Sequence, residues 1–130
     1  MALTHVVAIR NSLADLVVDA IDAGTMNANG DLQVATTAFG AILATVEFQN
    51  PSFGVAAGGT ATMAGAPLED SSAIGGGVAA VFRTRDRDDG EVFQGTVTLT
   101  AGGGDMELSS TTINNGDAVR INSFTYTSSP

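Results

Sequence analysis

The most charged stretch of the sequence is Arg83-Thr84-Arg85-Asp86-Arg87-Asp88-Asp89-Gly90-Glu91, which holds three of the five arginines. Closely spaced carboxylates around a glycine turn resemble the oxygen cage of a Ca2+ loop. The spacing does not suit one, because Gly90 falls one place early, no Glu stands at the twelfth position, and the interleaved arginines repel a cation. A solvated hairpin tip or a salt-bridge cluster at an interface suits these residues better, and a charged tip also blunts edge-to-edge pairing of sheets. The adjacent carboxyls of Glu69 and Asp70 could in principle hydrolyse a glycoside. Sugar sites normally carry aromatic platforms, and a chain with no Trp and one Tyr has few to offer. Its plausible platforms are Phe53, Phe93 and Tyr126, all expected in core or interface positions. His5, the single histidine, is expected to be a solvated or interface residue. The glycine runs 75–77 and 102–104 are not followed by Lys-Ser/Thr and open no helix, so they read as turns and not as phosphate cradles. No catalytic constellation emerges, and no cofactor or metal is expected.

Composition narrows the classes further. The chain has 130 residues, 14 acidic against 5 basic side chains, a formal charge of −9 and no cysteine. That length predicts one domain over 1–130 with one core. Without cysteine there is no disulfide, thiolate metal site or Cys nucleophile, and one histidine leaves a Ser-His-Asp triad or zinc site poorly supplied. The acidic balance opposes nucleic acid and anionic membranes as partners, because phosphate binding draws on cations that displace counterions. Aspartates at 15, 19 and 22 interrupt the apolar start before a signal segment is complete, and no run is long enough to span a membrane, so a soluble chain made in the cytoplasm is expected. The hydrophobic fraction is 44% but aromatics are only 5%, which predicts a core of small residues.

Elements follow from periodicity. A helix is predicted over 9–23, where Leu13, Leu16, Val17, Ala20 and Ile21 keep one apolar face that a sheet or partner subunit must cover. Gly24 ends it. Beyond it the period is 2: strands are predicted at 31–36 and 42–48, weakly at 60–64, then at 78–85 and 91–100, at 105–110 and at 118–127. Asp89-Gly90 makes 78–100 the strongest hairpin, and a phase change in the last strand predicts a bend near Asn122-Ser123. The sum is a mainly β chain over 31–127, an antiparallel, jelly-roll-like β-sandwich of seven to eight short strands, with one N-terminal α-helix. The segments 54–65 and 66–77 are long for loops and are expected to be ordered against a partner.

Three segments carry a resemblance. The helix Asn11-Ser12-Leu13-Ala14-Asp15-Leu16-Val17-Val18-Asp19-Ala20-Ile21-Asp22-Ala23-Gly24, the strand and turn Ala44-Thr45-Val46-Glu47-Phe48-Gln49-Asn50-Pro51-Ser52-Phe53-Gly54, and the closing stretch from Ile113 to Thr127 resemble a family of small virion structural proteins of tailed bacteriophages and prophages. The resemblance implies a particle component with one helix and a β-sandwich, and it transfers no catalytic residues. The expectation that follows is a decoration or cement protein on the capsid exterior, a homotrimer bound to the major capsid protein. The alternatives are a tail or head–tail connector protein, or a carbohydrate- or receptor-binding sandwich. Residues expected to meet partners are Leu13, Leu16, Val17, Phe53, Arg83, Arg85 and Arg87.

Overall fold

The computed structural model describes residues 3–128. Helix α1 runs over Val7–Ile21, two residues earlier than expected at each end. Nothing local explains its stability: Val6 offers no side-chain cap, the first turn holds no acid and the last turn no base. A 15-residue helix of this kind depends on what it packs against. It lies on β3 (Thr60–Thr62) and β11 (Thr125–Thr127).

The face it buries differs from the expected one. Ala14, Val18 and Ile21, spaced i, i+4, i+7, are the residues that enter the core. Ile21 alone of the predicted face is fully buried; Leu13, Val17 and Ala20 are half-buried, and Leu16 is 70% exposed. Polar groups set this rotation. The Asn11 amide oxygen accepts from Gly59 N–H at 2.7 Å, Asp15 from Ala56 N–H at 2.8 Å, and Asp22 from Ser52 N–H at 2.9 Å. Arg10 donates to the Gly58 carbonyl at 3.3 Å. Positions 11, 15 and 22 share a flank of the helix, and three loop N–H groups would lose their acceptors if that flank turned away.

The strands β1 (Asp31–Ala35), β2 (Ile42–Glu47), β6 (Val81–Arg85), β7 (Glu91–Leu99) and β8 (Met106–Leu108) form the main sheet in the order β2-β1-β6-β7-β8. Apolar, β-branched runs and turn chemistry account for the first four, and β6 alternates strictly while β1 is buried on both faces. The β6–β7 hairpin closes at the predicted Asp89-Gly90, where Asp89 takes a positive φ of 65° and Asp86 accepts from the N–H groups of Asp88 and Gly90 at 2.9 and 2.8 Å. The outer edge of β2 is not left open: Asp70 accepts from Thr45 N–H at 3.0 Å, and Ile74 N–H donates to the Leu43 carbonyl at 3.0 Å.

One pairing departs from the antiparallel expectation. β8 runs parallel to β7, with Val97 opposite Met106 and Leu99 opposite Leu108. The chain must reverse twice within residues 100–105 to achieve this. Gly102 and Gly104 allow it, because a Cβ at either would stand 2.7 or 2.8 Å from carbon atoms of the Thr98 side chain, and the Thr98 hydroxyl accepts from Gly104 N–H at 3.0 Å. The glycine run is therefore a tightly packed crossing.

The remaining strands pair as three two-stranded ladders: β10 (Val119–Ile121) with β4 (Leu68–Asp70), β11 with β3, and β5 (Gly77–Val78) with β9 (Thr112–Ile113). Eleven strands are present among the described residues where seven to eight were expected. The predicted strand 78–85 is split at Ala79-Ala80. The last strand is split at 122–124, the predicted bend: Val119 and Ile121 are buried on one side of it and Phe124 on the other phase. The segments 54–65 and 66–77, expected to lie against a partner, carry structure of their own in β3, β4 and a bridge from Phe53 to Met63. The chain is mainly β with one helix and a five-stranded sheet.

The core joins these parts through rings. Phe48, Phe53, Phe82, Phe93, Phe124 and Tyr126 form one connected cluster, with centroid separations between 5.2 and 6.3 Å. Around it lie the small residues that composition predicted, among them Ala14, Ala44 and Ala61, all fully buried. In dilute protein, Leu16→Asp is expected to change stability by about 0.5 kcal/mol or less, whereas Val18→Asp, placing an unpaired charge at a side chain 1% exposed, costs several kcal/mol. Urea denaturation of the two variants checks this, and equal sensitivity would place the helix in the other rotation.

Candidate functional site

The charged turn is built from β6, the 86–90 connection and the loop 24–29 that follows α1. Its arginines are occupied within the fold. Arg83 donates from Nε to Gln33 Oε1 at 2.9 Å and lies 5.0 Å over the Phe39 ring. Arg85 makes a two-pronged contact with Asp31 at 2.8 and 2.7 Å, from positions directly opposite on β6 and β1, and reaches Asp89 at 3.4 Å. Arg87 donates to the Asn27 carbonyl at 2.8 Å. The three arginines expected to meet a partner are thus committed to cross-strand and loop contacts, because each finds an acceptor more than 45 residues away that the fold brings beside it. The Arg85–Asp31 pair, with both side chains under a fifth exposed, also gains from its two-pronged geometry.

Asp88 fixes the other half of the turn. It accepts from Thr25 and Met26 N–H groups at 2.8 and 2.9 Å. Those two bonds, with the charge of Arg87 adding to them, hold its carboxyl below the ordinary aspartate value. On the helix the reverse holds for Asp19: partial desolvation first, then the charges of Asp15 and Asp22, push its carboxyl up. Beneath the turn, Asn29 donates to Glu47, and Asp31, Glu47 and Asp89 border a shallow depression of about 320 Å3 with Arg85 among them. No group of three or more His, Asp or Glu side chains among the described residues is arranged to hold a metal ion.

The larger concavity lies elsewhere. An open cleft of about 790 Å3 runs between β8 and the β9–β10 region, lined by Met106, Leu108, Ser110, Asp117, Arg120 and Phe124 among others. Its polar groups do not converge on one point. Arg120 is turned to Glu69 at 3.1 Å, and Asp117 accepts from Asn114 N–H at 2.9 Å. Glu69 and Asp70, adjacent on β4, face different neighbours: Glu69 meets Arg120, and Asp70 accepts the N–H groups of Thr45 and Ser72. They are not a facing carboxylate pair. His5 sits on exposed chain ahead of the helix. Phe53, expected at an interface, is buried in the ring cluster beside Phe48 and Phe124, since the Ser52 and Ala56 bonds to α1 draw its loop inward. Phe93 and Tyr126 are half-buried in the same cluster.

What the fold leaves outside is apolar. Among the described residues ten large hydrophobic side chains remain exposed, Val6, Ile9, Leu16, Val55, Ile74 and Val78 among them. Of the sequence-predicted contact residues, Leu13 and Leu16 lie on this outer side of α1, with Val17 at its margin. The periodicity of 9–23 contains the signal for Ile9, and the helix carries two apolar faces where one was expected. The loop-gripping residues Asn11, Asp15 and Asp22 could have been found from their shared helical flank. No protein-family model, curated protein or solved structure matches this chain.

Two titrations test the electrostatics. Asp88 has a lowered value in the folded chain, so its stabilisation is full above the ordinary aspartate value, about pH 4, and fades as pH falls through the lowered one. Asp88→Ala is therefore expected to be less stable than the parent at about pH 7, with the gap closing in strong acid. Asp19 has a raised value, so its ionisation costs stability as pH rises through that value; Asp19→Asn is expected to stabilise at about pH 7 and to lose that advantage below about pH 4. Urea melts at the two pH values check both signs. Asp31→Ala, which removes the two-pronged contact and leaves Arg85 only Asp89 at 3.4 Å, is expected to cost about 1–3 kcal/mol in the same measurement.

Proposed function

We propose that this chain is a structural component of a tailed-phage virion, a capsid decoration protein that binds the outside of the assembled shell as a homotrimer and bridges neighbouring major capsid protein subunits. Its architecture, on this reading, is a jelly-roll-like β-sandwich, with the ladders β4–β10 and β3–β11 serving as a second layer over the main sheet across the ring cluster. The observation that carries the proposal is the division of the surface. All three arginines of the charged turn, each half-buried, find an acceptor within the fold, the chain keeps a net charge of −9, and among the described residues ten large apolar side chains face outward. Single exposed apolar residues are ordinary, but this many on so small a chain suit a protein whose working state is an assembly.

The acidic exterior also fits an outer position, away from packaged DNA. The resemblance of the helix, the 44–54 strand and turn, and the 113–127 stretch to small virion proteins points the same way. A sugar-binding role is less well supplied, because Phe53, Phe93 and Tyr126 are drawn into the ring cluster and leave few exposed platforms. Cryo-EM of the parent virion tests the proposal. Density for this fold at regular positions on the capsid exterior is expected; its presence only in the tail or at the head–tail junction would favour the connector alternative and overturn the decoration reading.

A further inference from the structure

We infer that one face of the main sheet carries a carboxylate-binding position, built on the guanidinium of Arg83 with the Gln94 amide beside it and the Phe39 ring beneath it. Thr45, Gln33, Arg83 and Gln94 stand opposite one another on β2, β1, β6 and β7, so their side chains form one row on one face. Bonds run along the row and stop at Arg83. Gln33, 8% exposed, donates to Thr45 Oγ1 at 3.4 Å and accepts from Arg83 Nε at 2.9 Å. Arg83 spends Nε alone: among the described residues its Nη groups have no acceptor, and the exposed Gln94 amide has no hydrogen-bond partner. The other cross-strand arginines show what such a group takes. Arg85 and Arg120 each give Nε and Nη2 to one carboxylate, of Asp31 and Glu69.

The turn between β1 and β2 holds a strained backbone at this position. Ala38 and Phe39 take φ values of 56° and 55°, where hairpin turns normally place Asn or Gly. Strain of this kind persists where the surroundings hold it, and it collects at binding positions. Phe39 is the one ring outside the aromatic cluster, and it lies 5.0 Å from the Arg83 guanidinium carbon. The ring sets the plane of the guanidinium and Gln33 sets its rotation, so the two Nη groups are placed before anything binds. Paired N–H groups in one plane match the two oxygens of a carboxylate. The next row on the same face, Glu47, Asp31 and Arg85, is net negative, as is the chain at −9. A singly charged carboxylate is therefore admitted more readily than a phosphate dianion. It comes from an acidic side chain of a partner protein or from a small free acid, and the position does not depend on where the chain resides.

Proton–nitrogen correlation NMR of the full chain in mildly acidic buffer tests it, reading the Nε–H signals of the arginines and the side-chain amide of Gln94. Sodium acetate, titrated against sodium chloride at matched ionic strength, is expected to shift Arg83 Nε–H and Gln94 saturably in the millimolar range and to leave Arg85 Nε–H in place. Inorganic phosphate is expected to bind more weakly. N-acetylglutamate amide separates the sources: tighter binding than acetate assigns the position to a protein side chain, and weaker binding assigns it to a small free acid. Arg83→Lys, read at Gln94, is expected to lose at least about tenfold in affinity, since it keeps the charge and loses the paired donors. Phe39→Gly is expected to bind more weakly with no fall in its urea midpoint, because glycine relaxes the turn. The absence of a saturable shift overturns the inference, as does an equal shift at Arg85, phosphate binding tighter than acetate, or full affinity in folded Arg83→Lys or Phe39→Gly.

Discussion

The structure depends on a single chain of aromatic contacts. Six of the seven aromatic residues stand in one cluster, in which Phe124 and Phe93 each touch three other rings, Phe124 meeting Phe53, Phe82 and Phe93. Those partners come from the loop after β2, from β6 and from β7, while Phe124 itself lies at the bend between β10 and β11. With so few large side chains, the protein cannot build several local cores. It concentrates its bulk at one point and lets alanine, valine and threonine fill the periphery, where backbones can approach closely. Short strands of two or three residues, marginal by themselves, become ordered because their neighbours are anchored to the same rings.

The second organising element is polar. α1 has no caps of its own, yet it supplies acceptors to the loop that passes beside it, and Ser52, fully buried, returns a bond from its hydroxyl to the Val18 carbonyl at 3.4 Å. Helix and loop therefore stabilise each other through groups that would otherwise be unsatisfied on burial. The loop carries Phe53 into the ring cluster, so the rotation of the helix and the position of that ring are set by the same bonds. Removing the helix would release an aromatic anchor as well as an apolar face.

Much of the main sheet was legible in the sequence, and for identifiable reasons. β1, β2 and the β6–β7 hairpin are short runs rich in apolar and β-branched residues, bounded by turn residues that act locally, so Asp89-Gly90 and Pro51 could be read without tertiary context. The bend near Asn122-Ser123 was legible because Val119 and Phe124 fall out of phase. The parallel β8 was not, since the decisive fact about Gly102 and Gly104 is the proximity of Thr98, which no local pattern reveals. The helix had its existence but not its orientation written in it: residues 14, 18 and 21 and residues 9, 13, 16 and 20 are both apolar sets, and the choice between them rests on acceptors for N–H groups some 30 to 48 positions away. The same distance problem hid the fate of Arg83, Arg85 and Phe53. Their partners are across the sheet or across the core, and a charged or aromatic residue seen without its partner looks available.

The capped outer strand has a consequence for how neighbours can be joined. Asp70 and Ile74 occupy hydrogen-bonding positions on the open side of β2, and the opposite border of the sheet is the three-residue β8. Neither border invites a foreign strand to extend the sheet, which is the route by which β-rich chains commonly form filaments. The borders of the main sheet therefore favour contacts made by side chains over contacts made by backbone ladders. Contacts of that kind close and open between finished folds, with no backbone ladder to zip or unzip, and leave each chain's own structure intact.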